Sequence, residues 1–170
     1  MSLTRDIKGK NVRRNDKYKD VVSLLVYGDI EGEGKSEKVI FNAIKDLIVF
    51  SAMVGKKYER MEDVDGKNST GIILDTFAGS STGGSKGSRV DQHNLIFMFG
   101  LLHFKDVNYL RDENVNSVID VFEKYSNGGL GLIRDWLVES GWNSLVLLDK
   151  ISDEIGNGVE GGIVIEESPF

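Results

Sequence analysis

The chain is expected to form a mainly helical, single compact domain of about five helices with one or two short β-strands. Three features lead there. Apolar residues recur at helical spacing in several windows of more than ten residues, and β-branched runs short enough to be strands are few. At 170 residues the chain has the length of one ordinary domain, large enough to bury a core without disulfides or metal. The single proline, Pro169, lies outside every such window, and no internal repeat or sustained heptad is present.

Residues 1–16 read as a basic N-terminal arm and residues 17–170 as the helical domain. Arg5, Lys8, Lys10, Arg13, Arg14, Lys17 and Lys19 give residues 1–19 a net charge of +5 on a chain whose total is −6. That asymmetry suits contact with phosphate or with an acidic partner; the alternative is a solvated tail. Residues 17–27, KYKDVVSLLVY, place Tyr18, Val21, Val22 and Leu25 at helical spacing, and their length favours a helix over a short buried strand. Residues 28–35, GDIEGEGK, form a glycine-rich acidic hinge.

Residues 36–57 read as the central helix on which the others pack. Ser36 is its N-cap, and Gly55 with Lys56 and Lys57 supplies the stop, the cations complementing the dipole. Between these ends Val39, Ala43, Leu47 and Phe50 form one apolar stripe, and Ile40, Ile44, Ile48 and Ala52 form the stripe beside it. Residues 58–69 are polar, with a turn at Asp65-Gly66 that suits the tip of a hairpin. Residues 71–77, GIILDTF, read as a strand pairing with residues 58–62 or 163–165. Residues 79–88, GSSTGGSKGS, read as a surface loop.

From Asp91 onward, Leu95, Phe99 and Leu102 form the stripe of a largely buried helix. Asn114 or Asn116 caps the next, whose face is Val118, Ile119, Phe122 and Tyr125, and Ser126-Asn127-Gly128-Gly129 stops or kinks it. Leu130, Ile133, Trp136 and Leu137 belong to a further helix ending at Ser140-Gly141. Residues 142–155 add a last amphipathic turn or two. Residues 156–170 make a glycine- and glutamate-rich end with a short strand at 163–165.

Composition excludes several chemistries. Cysteine is absent, which removes disulfides, thiolate catalysis and cysteine-ligated metals and suits a reducing cytoplasm, the expected location. Apolar runs fall short of the roughly 20 residues that span a bilayer, and the polar, basic start carries no secretory signal. His93 and His103 are the two histidines; they fall on different faces of one helix, make no ligand pair at helical spacing, and are expected at the surface or its boundary. Neither a metal nor a cofactor is expected, and no catalytic residue stands out. The carboxylate pairs Asp112-Glu113 and Glu166-Glu167 read as solvated charge. Trp136 reads as core, whereas Trp142 divides evenly between core and a partner surface.

One motif approaches a phosphate loop. Gly28, Asp29, Ile30, Glu31, Gly32, Glu33, Gly34, Lys35 and Ser36 end in the Gly-Lys-Ser that would put a lysine and a hydroxyl at phosphates. The first glycine stands one place too early, and three carboxylates enter a loop that would hold anions by its backbone amides. Asp75, after Ile72, Ile73 and Leu74, would be the magnesium-holding aspartate of this alternative, a small nucleotide-binding protein using a degenerate phosphate loop at residues 28–36.

Two sequence blocks point to a family. Lys45-Asp46-Leu47 with Phe50-Ser51-Ala52 and Gly55 form the first. Val121-Phe122-Glu123-Lys124-Tyr125-Ser126-Asn127-Gly128-Gly129-Leu130, followed by Trp136-Leu137, form the second. Both resemble the DNA phosphorothioation-associated protein 4 family, small accessory proteins of the Dnd-type systems that place sulfur in the bacterial DNA backbone and restrict unmodified DNA. The resemblance spans roughly residues 18–155; the acidic hinge and residues 79–88 lie outside its pattern. It implies a non-enzymatic accessory or adaptor role among other proteins of a modification and restriction system, and it transfers no catalytic site. DNA is the candidate partner of the basic arm, through the seven cations named above, and association of copies through the apolar helices is a third reading.

Overall fold

The computed structural model describes residues 5–30, 34–35, 39–78 and 92–160. In chain order these form α1 (Arg5–Lys8), β1 (Asn11–Asn15), a 3-10 turn (Asp16–Tyr18), α2 (Lys19–Val22) and a π-helical turn (Ser23–Tyr27). A two-residue hairpin of β2 (Asp29–Ile30) and β3 (Gly34–Lys35) follows, then α3 (Ile44–Lys57), β4 (Ser69–Ile73) and a 3-10 turn (Leu74–Ala78). The chain continues through α4 (His93–Phe104), two 3-10 turns (Val107–Leu110 and Asp112–Asn114), α5 (Val115–Glu139) and α6 (Val146–Glu160). The class is mainly helical with a minor strand component, as the sequence predicts.

The core is organised around α5, whose 25 residues extend about 37 Å at 1.5 Å each. Its predicted face, Val118, Ile119, Phe122 and Tyr125, is buried, and Leu130, Ile133 and Leu137 continue that face without a break. The sequence reading of two helices separated by Ser126-Asn127-Gly128-Gly129 is therefore corrected: α5 passes straight through these residues. They are where α3 crosses. A Cβ on Gly129 would overlap the Ser51 carbonyl oxygen, and a Cβ on Gly55 of α3 would overlap the Tyr125 carbonyl oxygen. The glycines bring two backbones together instead of ending a helix. Ser51 and Ser126, both fully buried, complete the crossing with hydroxyls 3.1 Å apart, each also within reach of the Ile48 carbonyl at 2.9 and 3.3 Å. On another side of α5, α4 packs through Gly100, where a Cβ would press on the Val118 side chain.

The start of α3 is also corrected. Ser36 lies outside the described residues, and the helix begins at Ile44. Residues 39–43 are not helical; the Ile40 and Phe41 amides donate to the Leu25 carbonyl at 3.1 and 3.0 Å. The cause is the π-helical turn, which ends at Gly28 in the left-handed region (φ 67°) and leaves Leu25 without a helical amide ahead of it. Apolar spacing alone does not reveal that demand, so residues 39–43 look like more of the same helix.

The strand predicted over residues 71–77 is β4 at Ser69–Ile73, with residues 74–77 in the 3-10 turn that follows, and it pairs with β1, not with residues 58–62. The pairing is antiparallel, with Val12 opposite Ile72 and Arg14 opposite Thr70. Residues 163–165 lie outside the described residues. β1 escapes sequence reading because only Val12 is apolar, and the other inward positions are Arg14 and Asn15. The hairpin tip at Asp65 is instead a side-chain turn, in which Asp65 Oδ1 accepts the Lys67 and Asn68 amides at 2.9 and 3.3 Å.

At the far end of the chain, α5 closes at Gly141 (φ 66°), and the Trp142 amide donates to the Leu137 carbonyl at 2.6 Å. α6 then reaches Glu160, beyond the turn or two expected. Leu102 departs from its expected burial: with Met98 it is about half exposed, at 51% and 48%. No described helix is long and apolar enough to cross a membrane.

Candidate functional site

Strand β1 carries two of the seven cations that the sequence singles out, Arg13 and Arg14, and its pairing decides which way each one points. Arg13 and Asn15 turn their amides away from β4 toward α5. There the Arg13 amide donates to Glu123 Oε1 at 2.6 Å and the Asn15 amide to Asn127 Oδ1 at 2.8 Å. Asn127 Nδ2 returns two bonds, to the Arg13 carbonyl at 3.2 Å and the Glu123 carbonyl at 2.8 Å. One helical turn of α5 thus treats β1 as a neighbouring strand would, using side chains in place of backbone. Asn15 extends the joint to residues 62–65: its Nδ2 donates to Glu62 Oε1 and the Asp63 carbonyl, and its Oδ1 accepts the Asp65 amide at 2.7 Å. Tyr18 closes it with a 2.6 Å bond to Glu62 Oε2.

The seven predicted phosphate contacts do not form one surface. Arg5 lies in α1, with its side chain outside the described residues. Lys8 is exposed and stands 3.6 Å from Asp75. Lys17 pairs with Glu62 at 3.0 Å, and Lys19 lies 3.8 Å from Asp16. Arg14 is buried at 6% exposure, where its Nη1 donates to the Tyr18 carbonyl at 3.3 Å. Burial holds its pKa below the usual guanidinium range, with Asp16 and Tyr27 partly opposing. It is a structural cation.

Lys10 and Arg13 are brought together. They line a groove of about 250 Å³ with Asn11 on the β1 side, facing Asn116, Asp120 and Glu123 of α5. Lys124 neutralises Asp120 from the side, 3.1 Å away, while also reaching Asp63 at 3.2 Å. With that pair balanced, the size of the groove's positive charge turns on Glu123. Burial raises its carboxyl to about 7; the Arg13 amide opposes this and Asp120 adds to it. Sequence reading missed Asn116, Asp120 and Glu123, more than a hundred residues from the arm. The available signal was a glutamate set between the buried positions Phe122 and Tyr125.

Glu123 carries a consequence for stability. Its folded pKa lies above the ordinary 4.5, so its contribution is fully present below about pH 4.5 and is lost as pH rises through 7. Allowing for solvent at the groove mouth, the loss is about 2 kcal/mol. Glu123→Gln keeps an acceptor for the Arg13 amide and removes the ionisation. Urea unfolding at pH 5 and pH 8 is expected to show a difference in the parent protein that shrinks by that amount in the variant; an unchanged difference would locate the titration elsewhere.

Residues 31–33 and 36–38, in and just after the near phosphate loop, lie outside the described residues, and the described ones do not show the context such a loop needs. Asp29 and Ile30 pair with Lys35 and Gly34 as a hairpin, a π-helical turn precedes it, and the next helix starts at Ile44. A helix N-terminus directly after the Gly-Lys-Ser is what such a loop needs. Asp75 faces Lys8. Among the described residues no group of three or more side chains could hold a metal ion. His93 is buried at 5% exposure, against the expected surface position, while His103 is exposed and lies 3.4 Å from the Tyr125 hydroxyl.

No curated protein and no solved structure is significantly similar to the chain. A family match covers residues 12–160, from the second residue of β1 to the last residue of α6. It takes in both the helix crossing at Ser51, Ser126 and Gly129 and the joint at Asn15, Glu123 and Asn127. On that match, the chain belongs to the family of DNA sulphur modification system-associated protein 4.

Proposed function

We propose that this protein is a non-enzymatic accessory subunit of a bacterial DNA sulphur modification system. It acts alongside other proteins of that system and touches the DNA backbone through the groove between β1 and α5. The observation that carries the DNA contact is the placement of Lys10 and Arg13 beside two amide side chains, Asn11 and Asn116, in one groove. Two cations with neutral donors suit a phosphate oxygen cluster, and no base-reading arrangement accompanies them. Lys8, Lys17 and Lys19 do not line this groove, and each already faces a carboxylate.

The test is fluorescence anisotropy of a short labelled duplex at low and near-physiological salt. The parent protein is expected to bind more weakly as salt rises, with the logarithmic slope falling by roughly 1 for each phosphate contact removed. Lys10→Glu with Arg13→Glu is expected to weaken binding more than about tenfold at low salt. Binding should also strengthen from pH 8 to pH 6, as Glu123 takes up a proton and the groove becomes more positive. Deleting residues 1–19 is not an informative variant, because it removes β1 and Tyr18 from the core. No binding by the parent protein at low salt would leave a role through protein contacts alone.

A further inference from the structure

Strand β4 has a partner on one flank, and its register fixes which backbone groups face the other. Ile72 stands opposite Val12 and Thr70 opposite Arg14. The ladder continues past both ends, with the Leu74 amide on the Lys10 carbonyl at 2.7 Å and the Asp16 amide on the Asn68 carbonyl at 2.9 Å. Alternate residues therefore turn their backbone toward β1, and Ser69, Gly71 and Ile73 turn theirs to a flank that no described strand occupies. Gly71 is exposed, and Ile73 is 54% exposed. The usual guards of such a flank are missing: the strand reads STGII, without charge or proline, and pairs with β1 without a bulge.

A second copy of β4 fits this flank. Antiparallel pairing about a two-fold axis at Gly71 sets Gly71 opposite its own copy and Ser69 opposite Ile73 of the other chain, so the three outward residues exchange both backbone bonds. The same register brings Lys67, exposed just before the strand, beside Asp75 of the other copy, and symmetry repeats the attraction. Asp75 keeps 39% of its side chain exposed although Lys8 approaches it at 3.6 Å. Moving the axis to Ser69 or Ile73 shortens the ladder and parts these charges.

We propose that two copies of this chain pair through β4 into a four-stranded antiparallel sheet with the two β1 strands outermost. Glu123 and Asn127 of α5 already take the outer groups of β1, so assembly stops at two. Five-residue strands cover less than the roughly 800 Å² per partner of a stable complex, and a dissociation constant on the order of micromolar or weaker is expected. Arg13 is the register partner of Gly71. The pair thus aligns the two Arg13 residues across the axis on one face of the sheet, three strand spacings or about 14 Å apart. One duplex would then meet two phosphate grooves, a consequence that rests on the DNA contact proposed above, whereas the pairing itself does not.

The test begins with amide hydrogen exchange on the full chain, dilute and about fortyfold more concentrated. The Thr70 and Ile72 amides, held by β1, are expected to be protected in both samples. Those of Gly71 and Ile73 should exchange freely when dilute and at least fivefold more slowly when concentrated. Sedimentation equilibrium should show the mass rising from one chain toward two and no further. Ile73→Pro removes an outward N–H that β1 does not use, and is expected to stay folded and monomeric. Because the chain has no cysteine, the register can be read directly. Gly71→Cys should form a disulfide-linked dimer under mild oxidation at least tenfold faster than Lys67→Cys, since only the residue on the axis meets its own copy. A parent protein that stays monomeric when concentrated, an Ile73→Pro variant that still dimerises, or equal crosslinking by the two cysteines would overturn the proposal. Protection of Gly71 and Ile73 that ignores concentration would mean that another part of the same chain covers the flank, and would overturn it too. A dimer that forms yet binds no duplex supports the pairing and counts against the DNA contact alone.

Discussion

Gly129→Ala is expected to leave almost no folded protein, because the added methyl must occupy the space of the Ser51 carbonyl oxygen. Neither partner can yield cheaply. The methyl is fixed directly to the α5 backbone and the oxygen is part of the α3 backbone, and Ser51 is itself fixed by the bond from its hydroxyl to the Ile48 carbonyl. Overpacking costs about 1–3 kcal/mol where side chains can move; here two helices must separate, and the loss is expected to exceed about 4 kcal/mol. Soluble yield and the urea midpoint report it. Gly131→Ala, two residues further along α5, is the control. Its methyl meets a single side chain, Tyr18, with the hydroxyl at 3.0 Å and Cζ at 3.8 Å, and alanine's better helix propensity offsets about 1 kcal/mol of that crowding. A parental midpoint for Gly131→Ala beside a collapsed Gly129→Ala would identify the crossing, and not helix propensity, as the cause. Equal effects in the two variants would refute it.

Asn127→Ala is expected to cost about 3 kcal/mol, with a different signature. Asn127 is fully buried and holds three groups at once: the Asn15 amide, the Arg13 carbonyl and the Glu123 carbonyl. Glu123 O keeps its helical surroundings after the change. The Asn15 amide is left buried and unmet, at about 1–3 kcal/mol, and the part-buried Arg13 carbonyl loses its donor at a smaller cost. The loss should be local before it is global, so hydrogen exchange at Arg13 and Asn15 should accelerate by more than a hundredfold while the α3 amides near Ser51 slow or hold. Uniform acceleration across the chain would show that β1 is not held separately.

These two residues also explain why part of the fold was readable and part was not. The face of α5 from Val118 to Leu137 repeats at helical spacing, and such a face must be buried whatever it meets. Gly128 and Gly129 are ambiguous in principle, because a missing side chain serves a helix end and a helix crossing equally well. Only the facing backbone decides between them. The resemblance to the family rested on Lys45-Asp46-Leu47, Phe50-Ser51-Ala52 and Gly55, and on residues 121–130 with Trp136-Leu137, so the residues misread as a stop lie inside one of the two blocks that carried it. β1 was invisible for the opposite reason. Its pairing satisfies backbone through Glu123 and Asn127, and its inward Arg14 imitates a surface residue. The groove of Lys10 and Arg13 was half legible: the cations were named, but the opposing wall came from a helix a hundred residues away.

A sheet normally advertises its outer strand to any extended peptide that passes. Here one flank of the two-stranded sheet is already occupied, since Glu123 and Asn127 take the hydrogen-bonding groups that Arg13 and Asn15 would present to a third strand. Growth of the sheet, whether by a partner's strand or by misassembly of two copies, is therefore directed to β4. That flank is five residues long, and Thr70 within it is tied by its hydroxyl to Asp16 at 2.6 Å. A short, anchored flank on one side and a helix on the other make this sheet a poor seed for aggregation. Removing Asn127 would reopen the side that the helix now guards.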